Sequence, residues 1–171
     1  MEGSVLVKNL MWALEKLTAA SFSLGVLATA GIFLATLYEL VARYFFAAPT
    51  IWALDLSSYL LCVAVFFSLP SITAQGASIS ITILIDMLDL RHKSAITTAV
   101  EIIAGLSCLT VGALCVDFAL GQYSSGILTL AVVPIPRWIM TAVMAYGFLL
   151  SAILHFQRAL LGASTQDVAV L

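Results

Sequence analysis

The chain alternates long apolar runs with short clusters of polar and charged residues. Intervals without Asp, Glu, Lys or Arg cover residues 17–38, 56–85, 102–116, 118–136 and 138–157. A helix needs about 20 residues to cross the roughly 30 Å hydrocarbon core of a bilayer. The pattern therefore predicts four transmembrane helices, over about residues 17–40, 53–74, 94–116 and 136–158.

The interval 118–136 is apolar, but we predict a loop there rather than a fifth span. Glycines, serines and prolines interrupt it, at Gly121, Ser124, Ser125, Gly126, Pro134 and Pro136. The two prolines suit the start of the fourth helix, because the first turn of a helix does not use its N–H groups.

Two further segments predict amphipathic helices at the membrane interface, over about residues 5–16 and 79–91. In and just after the second segment, one helical stripe is polar, with Thr82, Asp86, Asp89 and Lys93, and the opposite stripe is apolar, with Ile81, Leu84, Ile85 and Leu88. A helix with this division of polarity lies along a membrane surface. The alternative is a loop helix that packs on the other helices.

Basic residues are distributed unevenly between the two sides of the predicted spans. One side carries Lys8, Lys16, Arg91, Lys93 and Arg158, whereas the other carries Arg43 and Arg137. Lys and Arg are enriched in cytoplasmic loops. Both termini are therefore predicted to be cytoplasmic.

The composition supports an all-α integral membrane protein. Only 9% of the residues are charged, 63% are hydrophobic, and the mean hydropathy is +1.14, whereas a soluble domain carries about 25% charged residues. Seven Lys and Arg residues without a basic run argue against a nucleic-acid partner.

The sequence offers no motif for catalysis or for a bound cofactor. Cys62, Cys108 and Cys115 all fall in predicted spans and suit apolar packing. His92 and His155 both fall on the predicted cytoplasmic side, which does not suit a haem held between two spans. We therefore predict that the chain is not an enzyme and binds no metal or cofactor.

Glu101 is the one carboxylate predicted to lie well inside a span, so it is a candidate for function. It begins a row of small residues on one helical face: Gly105, Cys108, Gly112 and Cys115. Small residues at this spacing form helix-packing seams in membranes, as do Ser21, Gly25 and Thr29 on the first span. We expect Glu101 to make a structural hydrogen bond, with His155 at a similar depth as a candidate partner. A proton or ion relay is the alternative.

Residues 38–55 form the densest cluster of polar and aromatic side chains. Glu39 and Arg43 are four residues apart and can pair on one helical face. Aromatic residues at this point suit the headgroup region of a bilayer: Tyr44, Phe45, Phe46 and Trp52. This pattern predicts an anchored hairpin on the outer side.

The same cluster resembles the small permease subunit (DctQ type) of tripartite ATP-independent periplasmic (TRAP) transporters. That family shows an acidic residue, then Arg followed by Tyr or Phe, then Trp-x-x-acidic at the second span. The matching residues here are Glu39, Arg43, Tyr44, Trp52 and Asp55, with Asp55 in place of the usual Glu. The family's Gly-x-His-Ile motif corresponds to residues 76–79, with Ser78 in place of His. Its Ile-Pro-x-Trp motif corresponds to residues 135–138.

The resemblance implies a heterodimer with a large permease (M) subunit that carries the substrate and Na⁺ sites. A soluble periplasmic binding protein would deliver an organic acid anion to this complex in the bacterial inner membrane. The present chain would be a scaffold that contacts its partners and membrane lipids. Candidate packing or docking residues are Glu39, Arg43, Trp52, Asp55, Glu101, Gly105, Gly112 and Arg137.

Two other functions remain open from the sequence. The chain could anchor a redox enzyme in the membrane, in which case His155 would be needed. It could also be an independent four-span transporter that couples transport through Glu101.

Overall fold

Four helices make up the protein in a computed structural model that describes residues 2–75 and 90–169. They are α1 (Glu2–Phe46), α2 (Ala53–Gln75), α3 (Leu90–Ser125) and α4 (Arg137–Ala169). Each contains a stretch long and apolar enough to cross a membrane: Met11–Phe46, Ala53–Gln75, Ile96–Ser125 and Arg137–Leu160. The predicted all-α fold with four spanning helices is confirmed.

The predicted interfacial helix over residues 5–16 has no boundary of its own. The backbone is helical without a break from Glu2 to Phe46, so this segment is the N-terminal part of α1. Its position relative to the membrane surface stays a prediction. The second interfacial helix, over residues 79–91, falls almost entirely outside the described residues.

The third helix is longer than predicted, and the expectation of a loop from residue 118 was wrong. α3 continues to Ser125, because Gly121 is tolerated within the helix and the nearby serines bond its backbone. The hydroxyl groups of Ser124 and Ser125 donate to the Gly121 carbonyl at 2.9 and 2.8 Å. The helix ends at Gly126, which has a φ of 61°, a conformation that glycine adopts readily at helix C-termini.

The described helices pack as an open row rather than as a closed bundle. α1 packs on α2, α2 on α4, and α4 on α3, and no other pair of the described helices makes backbone-level contact. The row of helices has two ends. The terminal end holds the N-terminal part of α1 and the C-terminal part of α4, and the loop end holds residues 47–52 and 126–136.

Small side chains fill the contacts within the row, and large apolar ones face outward. On α1, a line of buried residues follows the helical period: Thr18, Ser21, Ala28, Ala35 and Ala42. By contrast, Leu27 and Phe33 are both 66% exposed. Close approach through small residues is how helices associate in lipid, so this arrangement suits a bilayer.

α2 and α4 approach closely beside the point where Pro70 interrupts the hydrogen bonding of α2. Pro70 is buried and has no N–H, so the carbonyl of Phe66 four residues earlier lacks its usual helical donor. Gly147 of α4 lies against this carbonyl, and a Cβ atom at Gly147 would lie 2.5 Å from Phe66 O. Only glycine therefore fits at this point of the contact.

Candidate functional site

Glu39 organises the loop end of α1. Arg43 Nη2 donates to Glu39 Oε1 at 2.7 Å, which confirms the predicted pair. Glu39 Oε2 accepts a hydrogen bond from the backbone N–H of Thr50 at 2.9 Å and a second from the Thr50 hydroxyl. Glu39 therefore binds two groups: the Arg43 side chain and the connection between α1 and α2.

Asp55 of α2 holds the long loop between α3 and α4. Its Oδ2 atom accepts hydrogen bonds from the backbone N–H groups of Val132 at 2.7 Å and Val133 at 3.1 Å. Tyr59, one turn further along α2, donates from its hydroxyl to the Val133 carbonyl at 3.0 Å and lies 2.8 Å from Thr129 Oγ1. Side chains therefore fix both connections at this end: Glu39 of α1 holds the first, and Asp55 and Tyr59 of α2 hold the second.

Aromatic pairs flank these contacts on both sides of the loop end. The rings of Trp52 and Tyr38 have centroids 5.7 Å apart, and those of Trp138 and Tyr123 have centroids 5.6 Å apart. Arg137 begins α4 beside the second pair, and its backbone N–H donates to the Ile127 carbonyl at 3.0 Å. Such pairs suit the headgroup region, where aromatic rings are enriched.

A cavity of about 420 Å³ opens beside Glu39, Arg43 and Thr50. The Arg43 side chain is 61% exposed, whereas that of Glu39 is only 17% exposed. The surface thus presents the guanidinium group while the carboxylate stays behind it. Two of the predicted docking residues on α1 are charged, Glu39 and Arg43, and Arg43 is the more exposed of the two.

A second polar cluster lies at the terminal end and joins three helices. His155 Nδ1 of α4 lies 2.6 Å from Glu101 Oε2 of α3. Arg158 Nη2 lies 3.5 Å from Glu101 Oε1, and Arg158 Nη1 donates to the Thr73 carbonyl of α2 at 2.7 Å. Glu101 therefore faces protein, and its predicted pairing with His155 is confirmed.

The predicted row of small residues on α3 packs against α4. A Cβ atom at Gly105 would lie 3.2 Å from Phe156 Cε1, and one at Gly112 would lie 2.8 Å from Leu149 Cδ2. On α1, Gly25 lies against Ser68 of α2 in the same way. Both predicted seams are therefore packing surfaces.

Sequence reasoning missed several residues that complete these clusters. Tyr59, Thr50 and Thr73 carry no local signal, because their partners are distant in sequence or are backbone atoms. Arg158 entered only as a charge, although its spacing of three from His155 places both on one face of α4. Among the described residues, no group of three or more His, Cys, Asp or Glu side chains could hold a metal ion.

Four apolar helices in an open row, with polar side chains paired at both ends, define a multi-pass α-helical membrane protein. Residues 32–165 match the family model described as "Tripartite ATP-independent periplasmic transporters, DctQ component". The match covers most of the chain, and the chain belongs to this family, the small permease component of TRAP transporters. Among curated proteins, no match to the chain is found.

Proposed function

We propose that the chain is the small membrane subunit that scaffolds the large M subunit of a TRAP transporter in the bacterial inner membrane. The complex takes up an organic acid anion, which a periplasmic binding protein delivers, and uptake is coupled to Na⁺. The Na⁺ and substrate sites belong to the large subunit. This chain supplies a rigid membrane surface.

The open row of helices is the observation that carries this proposal. An open row of helices leaves large apolar side chains such as Leu27 and Phe33 exposed, so one part of its surface can contact lipid while another contacts a second membrane protein. The charged groups of the Glu39 and Glu101 clusters are engaged with one another or with the backbone. That arrangement suits structural support better than the repeated binding and release of an anion.

The loop end supports a role in docking the binding protein. Arg43 is exposed on α1, and Glu39 and Asp55 fix the surrounding backbone. A fixed backbone with an exposed charge suits an encounter surface, because charges at the rim of an interface mainly raise the association rate. With both termini in the cytoplasm, this end faces the periplasm.

Co-purification and transport test the proposal together. The tagged chain is co-expressed with a large multi-span protein encoded by an adjacent reading frame, purified, and reconstituted with its binding protein and a Na⁺ gradient. We expect a stable complex that transports only when both membrane subunits and the binding protein are present. Transport by this chain alone would instead favour the independent transporter, and a haem absorbance spectrum would favour the redox anchor.

A further inference from the structure

A cavity of about 380 Å³ with a mixed polar and apolar lining lies between α1, α2 and α4 at the terminal end of the row. Glu15 and Thr18 of α1 line one wall, Ser71 of α2 lines the floor, and Gln157 and Arg158 of α4 line the opposite wall. None of the contacts described for the Glu39 cluster uses these α1 residues. The cavity is therefore separate from the Glu39 cluster, and it adjoins the Glu101 cluster through Arg158.

One buried hydroxyl among the residues that line this cavity has no hydrogen-bond partner in the part of the chain that the structure describes. Thr18 is only 6% exposed, and its Oγ1 atom makes no hydrogen bond in the described structure. A serine or threonine in a helix can satisfy its hydroxyl with the carbonyl four residues earlier, as Ser21 does with Leu17 O at 2.8 Å. A buried hydroxyl without a partner costs free energy, so the position of Thr18 indicates a ligand that supplies an acceptor.

The charges around the cavity have opposite signs and sit on different helices. Glu15 is an exposed carboxylate on α1. Arg158 on α4 donates from Nη1 to the Thr73 carbonyl, and its Nη2 lies 3.5 Å from Glu101, but its side chain remains 34% exposed. A ligand that carries both an anionic and a cationic group would match this pair of walls.

The position of the cavity along the helices restricts the ligand further. Glu15 lies two residues before the charge-free interval 17–38, and Arg158 directly follows the interval 138–157, so both stand where the apolar spans begin and end. Met11, Leu14 and Leu154 supply apolar surface beside the polar groups. The site thus lies at the depth where lipid headgroups meet acyl chains.

We propose that this cavity binds the headgroup of a zwitterionic phospholipid with a primary ammonium group, such as phosphatidylethanolamine. The phosphate accepts hydrogen bonds from Arg158 and from the Thr18 hydroxyl, and the ammonium group donates to Glu15. The acyl chains leave along the apolar wall. Phosphatidylcholine cannot donate an N–H bond to Glu15, and phosphatidylglycerol brings a negative charge without a compensating ammonium group.

Native mass spectrometry of the full chain tests this selectivity. The protein is reconstituted into vesicles of phosphatidylethanolamine, phosphatidylcholine and phosphatidylglycerol in equal amounts and extracted in mild detergent. We expect phosphatidylethanolamine to be retained over the other two by about fivefold, since a charge-assisted hydrogen bond is roughly twice as strong as a neutral one. Excess inorganic phosphate in the buffer should not displace it, because free phosphate has no acyl chains to bury.

Matched variants assign the bound lipid to this cavity. Thr18→Val keeps the shape but removes the hydroxyl and should lower retention severalfold, while Glu15→Gln should abolish the preference over phosphatidylcholine. The controls are Thr110→Val, whose hydroxyl bonds Leu106 O within an exposed part of α3, and Asp117→Asn, an exposed acid on α3. Both should retain lipid as the parent does.

Two outcomes would overturn the proposal. Equal retention by the parent, Thr18→Val and Glu15→Gln would mean that the lipid is a general annular lipid. No retained lipid in the parent would mean that the cavity does not bind a phospholipid headgroup. The thermal stability of Thr18→Val and Glu15→Gln in detergent is measured alongside, to show that neither substitution has changed the fold.

Discussion

His155 Nδ1 of α4 lies 2.6 Å from Glu101 Oε2 of α3, and this contact joins two of the membrane-spanning helices. Arg158 approaches the other carboxylate oxygen, Oε1, at 3.5 Å. The Glu101 side chain is only 13% exposed, so its carboxylate depends on these neighbours rather than on water. The cluster is therefore a structural contact between helices, although a carboxylate beside an imidazole is also what a proton relay would contain.

Substitution of Glu101 separates the two roles. Glu101→Gln keeps the shape and an acceptor for His155, so assembly and uptake should survive. Glu101→Leu leaves His155 and Arg158 facing an apolar side chain and should lower the yield of folded protein without abolishing it, since interhelical polar contacts in membranes contribute about 1 kcal/mol. Yield and elution profile in detergent measure the effect. Loss of uptake by an intact Gln variant would establish the relay.

Asp55 should hold the loop between α3 and α4 in place. Asp55→Ala leaves the N–H groups of Val132 and Val133 without their acceptor, a loss of about 1–2 kcal/mol in local stability. Amide hydrogen exchange at Val132 and Val133 should become faster, with Asp55→Asn intermediate. Asp117→Ala is the matched control, and exchange that is equally fast in that variant would contradict the assignment.

Gly147 should tolerate no side chain at the contact between α2 and α4. Gly147→Ala places a Cβ atom against Phe66 O, a backbone atom that cannot rotate away. We expect a loss of about 1–3 kcal/mol, as for other overpacked contacts, seen as a lower thermal midpoint in detergent. Gly121→Ala meets nothing within 4 Å and should be neutral or slightly stabilising. Equal stability of the two variants would refute the contact.

Arg43 tests the docking surface at the loop end. Arg43→Ala leaves Glu39 bonded to Thr50, so the complex with the large subunit should still purify. Transport should fall when the binding protein is limiting and recover at saturation, and the defect should shrink at high salt, because exposed charges are screened over about 8–10 Å. If the complex dissociates instead, Arg43 is an assembly residue.

The predicted topology can be checked by labelling single cysteines in a variant without Cys62, Cys108 and Cys115. A cysteine at Lys93 should be protected from an impermeant reagent in intact cells. A cysteine at Tyr123, which is exposed near the loop end, should be labelled. Labelling of Lys93→Cys from the periplasm would invert the orientation.

Hydropathy was sufficient to place the four helices, because each span needs a long stretch without charge. The sequence analysis placed the end of α3 too early, because it took glycine and serine as helix breakers. A helix accommodates serine when its hydroxyl donates to a backbone carbonyl, as Ser124 and Ser125 do to Gly121. Glu101 and His155 were paired from depth alone. The Asp55 bond to the 126–136 loop could not be derived, since it joins a side chain to backbone atoms 77 and 78 positions away.

The helix order also lay beyond the sequence. The small residues indicate which face of a helix packs, but not which other helix it packs against. The same seams are therefore compatible with a closed bundle and with an open row. Pro70 and Gly147 show the same limit. Each residue is conspicuous by itself, yet only the structure shows that the carbonyl of Phe66, which lacks its helical donor because of Pro70, lies against Gly147.

The open row has a mechanical consequence. Adjacent helices in an open row can rotate about their line of contact unless something couples them away from that line. Arg158 on Thr73 and Glu101 at one end, and Asp55 and Tyr59 on the 126–136 loop at the other, provide that coupling. The flexural stiffness of the row of helices therefore depends on a few polar side chains at its two ends rather than on its apolar middle.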